Sequence, residues 1–346
     1  MRSKQHKIII RSVFVISIVS LYFFCKVSIS QEKIDIDPKL KIYSSHIDEN
    51  HQFPVVTGKS DAAKNINMFL KVKLRKFDQD YSLSFNTYQI SAITDSFLSF
   101  SLQSNQENDK ENLSFDSQGR YLTINLLFKE GPWLNDQVYL QRKQSIEKKL
   151  TEENLSTTQR VAYEECLKEG SFEPDFMIFN AEMSLHQDKL IFTGPYCIDY
   201  GERLKELNFF TNQFNYTDIA SHLTPYGKCI LIDKKTNCQP SYSSLTPGVW
   251  YGEINNEPFT LIILDVISYM ETSVYGEYYV SNGKIKSVEG SVLWNEDPEK
   301  NEWYLENNEY VFKLNLSKDG ILNGIWYPLN NPKNKQKITL TQKIQK

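Results

Sequence analysis

The side chains best suited to chemistry in this chain are aromatic. Trp250, Tyr251, Tyr278, Tyr279, Trp294, Trp303, Trp326 and Tyr327 crowd its C-terminal part. Such rings stack on sugar faces, or line a barrel that holds one small ligand. Adjacent pairs such as Tyr278 and Tyr279 point to opposite faces of a strand, so one ring of each pair faces away from the core the other fills. On this ground Tyr251, Tyr278, Trp294 and Trp326 are the candidate ligand-binding residues. The plainer reading, which we favour, is packing: the inward rings fill a barrel and the outward rings rest on a neighbouring domain.

Few other residues offer chemistry. Of the five histidines, His46 and His51 lie close together in a polar segment, but a metal would need a third ligand that Asp48 or Glu49 would supply only by chance. His186 beside Asp188, and His222 after Asp218, read as hydrogen-bonded or surface histidines. Glu164 and Glu165 read as the solvated face of a charged helix. No Gly-x-Ser-x-Gly, His-Glu-x-x-His or phosphate-loop pattern occurs. We therefore expect no catalytic residue, no metal and no cofactor. A net charge of −4 and a pI near 5.9 offer no basic field for a nucleic-acid backbone. The sequons at Asn112, Asn154, Asn215 and Asn315 matter only in a glycosylating host.

The first thirty residues differ in kind. Arg2, Lys4, Lys7 and Arg11 precede the apolar run Ser12–Phe24, which is short for a membrane span. Ser28 and Ser30 then form a small-x-small site before Gln31. This predicts a signal peptide at 1–30, cleavage before Gln31, and a periplasmic, cell-surface or secreted protein. A lipid anchor on Cys25 is the rival, so contact with a membrane is expected only through the signal or that anchor. Cys166, Cys197, Cys229 and Cys238 remain, and four cysteines allow three connectivities. The turn-rich "CILIDKKTNC" favours Cys229–Cys238, with Cys166–Cys197 left over. Free buried thiols are the alternative.

The elements that must position these residues fall into two groups. Residues 31–52 are polar and aperiodic and read as a tether or first edge strand. Residues 59–78 carry Ala62, Ile66, Phe69, Leu70 and Leu74 at helical spacing behind Ser60 as N-cap. The stretches 88–104 and 111–128 alternate like strands, with "SQG" marking a hairpin turn in the second. Residues 133–169 read as two helices broken near Asn154–Ser156, residues 176–196 as a hairpin turning at Gln187–Asp188, and residues 213–223 as a strand leading into a short helix.

In this order "FPVVTG", "INMFL", "ITDSFLSFSL", "FDSQGRYLTINLLF" and "DKLIFTGPYCIDYG…FNYTDIASHL" resemble a bacterial extracytoplasmic module of two domains of unknown function, DUF4163 and DUF3298. That module also accompanies some peptidoglycan deacetylases and forms the outer part of a lysozyme-sensing anti-sigma factor. The resemblance covers about half the chain (53–225) and carries no catalytic residue. It implies an α+β domain at 53–235 whose partner is an extracytoplasmic protein of lysozyme type or a peptidoglycan fragment.

After a Ser/Pro-rich linker at 236–248 come eight short strand signals between 249 and 343, separated by turns such as "SNGK" and "SKDG". They predict an all-β antiparallel barrel-like domain that closes off its own edges. It is similar to the C-terminal β-domain of many exported proteins of Bacteroidota-type bacteria. Gly252, Gly276, Gly290 and Gly324 recur mid-strand in aromatic or apolar frames, as kinks that let a tightly curved sheet close. The expected fold class is thus an α+β N-terminal module followed by an all-β antiparallel barrel-like domain. The expected function is a non-catalytic, exported envelope protein that binds a protein or cell-wall ligand through its first domain. A cell-wall carbohydrate-modifying enzyme or its accessory, and a small-ligand carrier using the barrel, are the alternatives.

Overall fold

The computed structural model describes residues 34–36, 40–48, 51–57, 60–79, 85–104, 110–129, 131–169, 182–194, 197, 204, 207, 210–243, 245–269, 271–280, 285–293 and 302–342. The expected signal peptide, its cleavage before Gln31, Cys25 and Trp294 lie outside the described residues.

Of the two readings of the N-terminal polar segment, tether or edge strand, the described residues show strand. β1 (Ile34–Ile36), β2 (Leu40–Asp48) and β3 (His51–Thr57) form an antiparallel sheet in which β2 pairs from Lys41↔Thr57 to Asp48↔His51. Main-chain pairing holds a polar strand that side-chain patterning does not mark. Helix α1 (Asp61–Gln79) follows, with Ser60 Oγ accepting the Ala63 N–H at 3.3 Å and Asp61 in the first turn. It buries Ala63, Ile66, Phe69, Leu70 and Val72.

β4 (Phe85–Ile93), β5 (Phe97–Ser104) and β6 (Lys110–Asp116) make the second sheet. The run expected as one stretch at 88–104 is broken at Thr94, whose Oγ1 accepts the N–H groups of Ser96 and Phe97. The expected hairpin at 111–128 also stops short. Asp116 captures the turn, accepting from Gln118 N, Arg120 N and the Arg120 guanidinium. The chain then makes a single bridge, Phe115↔Tyr121, and a one-turn helix, α2 (Ile124–Leu127). Leu126, Leu127 and Phe128 serve a different core from Phe115, so the chain leaves the sheet.

That other core is built by α3 (Gly131–Leu150), α4 (Thr157–Glu169), a sheet of β7 (Glu182–Leu185), β8 (Lys189–Gly194) and β9 (Phe210–Asn215), and α5 (Pro225–Leu231). α4 starts with a reciprocal capping box between Ser156 and Gln159. The break between α3 and α4 and the turn at Gln187–Asp188 fall where the sequence placed them.

The last hundred residues form a closed antiparallel barrel: β10 (Gly248–Ile254), β11 (Glu257–Tyr269), β12 (Glu271–Val280), β13 (Ile285–Leu293), β14 (Glu302–Glu306), β15 (Tyr310–Leu316), β16 (Ile321–Pro328) and β17 (Gln336–Thr341). β17 pairs back onto β10 through Tyr251↔Thr341 and Gly252↔Leu340. The fold is therefore an α+β part followed by an eight-stranded barrel.

Two findings revise the expected division. The linker 236–248 is packed rather than free: Cys238, Tyr242, Leu245 and Thr246 are buried, and Tyr242 donates to Gln342 Oε1 at 2.6 Å. In addition, α1, β5 and β6 share one core with Val249, Ile262 and Leu264 of the barrel. A register shift between Ile263 and Asp265 turns both Leu264 and Asp265 outward toward α1, as a β-bulge does.

Candidate functional site

Within the barrel, alternate residues turn inward. Trp250, Phe259, Leu261, Val274, Tyr278, Val288, Phe312, Leu322 and Leu340 meet in one buried cluster. The rings of Phe259, Tyr278 and Phe312 sit 5.4, 5.5 and 5.7 Å apart, centroid to centroid. Side chains of this cluster pack against one another inside the barrel. The mid-strand glycines share the inward face. At Gly290 a Cβ would collide with the Tyr304 carbonyl oxygen, and at Gly324 with that of Lys313. Neighbouring backbones approach there as only glycine allows, which tightens the closure.

The four candidate aromatics do not come together. Tyr278 and Trp326 face inward, Trp326 packing 5.2 Å from Tyr310. Tyr251 faces α1 and donates to Asn65 Oδ1 at 2.6 Å, with its pKa pushed up to about 12 by burial and by nearby Asp61. Packing thus accounts for the three that are described.

The concavity lies on the opposite face of the same strands. A groove of about 940 Å³ runs over the outside of β12, β13 and β14. Its floor is laid down by register. Ser273, Ser291 and Tyr304 stand opposite one another in one row, and Tyr275, Glu289 and Glu306 in the next. The rim carries Lys286, Ser287, Asn307, Asn308, Glu309 and Leu329. Asn307 fixes that rim: its Oδ1 accepts from Glu309 N and Tyr310 N, and its Nδ2 donates to Tyr278 Oη and the Ser287 carbonyl.

The charges in the groove are mostly negative. Lys286 is engaged by Glu309, a hydrogen bond that raises the lysine's pKa, and lies over the Tyr310 ring. Glu289 and Glu306 are exposed cross-strand partners. The Tyr304 hydroxyl donates to Glu306 Oε2 at 2.8 Å, which raises the tyrosine's pKa to about 12, helped by burial. Two like charges opposite each other on a sheet destabilise it slightly, so this pair is not explained by the fold's own needs.

Sequence reasoning missed these residues although the signal was present. Once Val274 and Tyr278 are set inward, Ser273 and Tyr275 must face out. Which outward residues of neighbouring strands would adjoin depends on pairing, which alternation does not encode.

His186 and His222 play structural parts. His186 accepts the Tyr216 hydroxyl on its carbonyl oxygen, and its pKa is lowered by burial and by Lys189 and Lys110. His222 stacks on Trp133 with ring centroids 3.6 Å apart. Among the described residues no group of three or more His, Cys, Asp or Glu could hold a metal, and no helix is long and apolar enough to cross a membrane.

Both favoured disulfides, Cys229–Cys238 and Cys166–Cys197, are formed, each with Cα atoms 5.9 Å apart. Such bonds are the mark of an oxidising, extracytoplasmic setting. No family model matches the chain, and no curated protein or solved structure matches it.

Proposed function

We propose that this chain is an exported, non-catalytic binding protein of the bacterial cell envelope, and that the groove over β12–β14 is where it takes its ligand. The groove carries the reading: it is open, polar, edged by a hydrogen-bonded rim, and holds a carboxylate pair that the fold does not require. The disulfides support an extracytoplasmic location, as does the basic and apolar leader. The resemblance of residues 53–225 to the DUF4163/DUF3298 module implies a lysozyme-like protein or a peptidoglycan fragment as partner of the first domain; the groove keeps that class of partner but lies on the barrel, outside those residues.

A hydrolytic reading rests on Glu289 and Glu306. Glycosidases place one carboxyl on each side of the scissile bond. Here both carboxylates rise side by side from one sheet face, which suits holding a ligand better than cleaving it. The test is a quantitative pull-down with the purified chain against lysozyme and against envelope extract containing muropeptides. Saturable capture of either supports the binding reading. Release of altered muropeptides without capture would replace it with the enzyme.

A further inference from the structure

We propose that the groove is a glycan site that holds an uncharged sugar chain of at least two rings across β12, β13 and β14. This rests on the binding reading above and names the ligand's chemistry.

Three observations lead there. The first is the placement of the aromatic rings. Tyr275 and Tyr304 stand at diagonal corners of the floor, two strands apart and in adjacent rows. Two strand spacings are ~10 Å and two residues along a strand ~7 Å, so the two tyrosines lie roughly 12 Å apart, about the span of a disaccharide. Both side chains are only partly exposed. Tyr304 is held at its hydroxyl by Glu306, and Lys313 Nζ lies 5.6 Å from its ring centroid. A ring already fixed in place loses little freedom when a sugar stacks on it.

The second is the chemistry between the rings. The carboxylate oxygens of Glu289 and Glu306 are hydrogen-bond acceptors. Sugar hydroxyls donate, and neighbouring hydroxyls of one ring can satisfy both carboxylates without adding charge. An anionic ligand such as a phosphate would meet repulsion from the same pair.

The third is what the lining lacks. A protein-binding hot spot centres on apolar and aromatic side chains sealed from water. Among the described residues that line this groove Leu329 is the one aliphatic side chain, and it lies at the rim beside Asn308 and Glu309. Hydroxyl, amide and carboxylate groups on a tyrosine floor suit a sugar better than a protein surface.

The test is calorimetric titration of the purified chain with soluble uncharged oligosaccharides of one to six β-1,4-linked N-acetylglucosamine rings, and separately with lysozyme. We expect saturable oligosaccharide binding that strengthens from one ring to two. Tyr275→Ala and Tyr304→Ala should each weaken it roughly tenfold. Tyr304→Phe, which keeps the ring, should stay within about threefold, and Glu289→Gln should weaken binding while leaving the fold's circular dichroism unchanged. If the alanine variants fail to fold, the Phe and Gln variants decide the matter. Oligosaccharide binding that ignores all these substitutions would overturn the site. If the oligosaccharides do not bind while lysozyme is captured, the glycan inference falls and the binding reading stands. If neither binds, the glycan inference falls.

Discussion

Lys73, with only 4% of its side chain exposed, reaches from α1 to Glu111 of β6 at 2.5 Å and Asp265 of β11 at 2.8 Å. Burial opposes its charge, but the two carboxylates outweigh that and hold its pKa above the ordinary lysine value. Removing one member of a buried ion cluster leaves charge without compensation. Lys73→Met should therefore cost about 3 kcal/mol in urea unfolding, discounted from the deepest cases because Glu111 and Asp265 keep some water contact. The buried tyrosines add a pH dependence. Burial, the largest cause in each, raises Tyr242 and Tyr251 to about 12. Above pH 10 the unfolded chain sheds phenol protons that the folded chain keeps, so stability falls as pH rises from about 10 to about 12, by about 1.4 kcal/mol per pH unit for each such tyrosine. Lys73 acts in the same direction: its contribution is complete below the usual lysine pKa and is lost above it. Unfolding followed between pH 8 and 12, alongside tyrosinate absorbance, checks both. A flat profile above pH 10 would refute the assignment.

At the scale of elements, all eight barrel strands were legible: most alternate over five or more residues between recognisable turns, and "FTLIIL" in β11 reads as a short apolar run. Closure was legible through Gly290 and Gly324, whose frames repeat. Gly324→Ala should cost about 3 kcal/mol, because its Cβ would meet a backbone oxygen that cannot swing aside. A melting temperature unchanged from wild type would show that the strands can part. The disulfides were readable from spacing for Cys229–Cys238 and by remainder for Cys166–Cys197. In the chain-entropy picture, breaking the wider loop should cost about 3.5 kcal/mol and the narrower about 2.5 kcal/mol, so paired Cys→Ala variants should rank in that order. What could not be read was the bulge beside Leu264 and the way Asp116 holds the turn marked by "SQG", with the strand ending soon after it. Both depend on one side chain finding a distant partner: Asp265 finds Lys73, and Asp116 accepts from the Tyr226 hydroxyl. The groove escaped for the same reason. Tyr275 and Tyr304 come to flank one floor only once β12, β13 and β14 are in register.

Across the whole molecule, α1 belongs to two structures at once. One side of the shared core comes from β5 and β6, and the other from Val249, Ile262 and Leu264 on the barrel. The Ser/Pro-rich stretch at 236–248 reads as a linker between two domains, yet composition does not reveal which outward barrel residues are covered. Because that core spans the boundary, calorimetry of the intact chain should give one cooperative transition, and Ile262→Asp should lower stability of barrel and α+β part together. Two well-separated transitions would overturn this. The seam of the barrel also has a mechanical consequence. β17 and β10 join by a short pairing of Tyr251↔Thr341 and Gly252↔Leu340, whereas β12, β13 and β14 lie on the far side of the ring. Tension applied at the C-terminus would peel β17 away first and spend itself there, leaving the grip on β12–β14 among the last parts to feel the load.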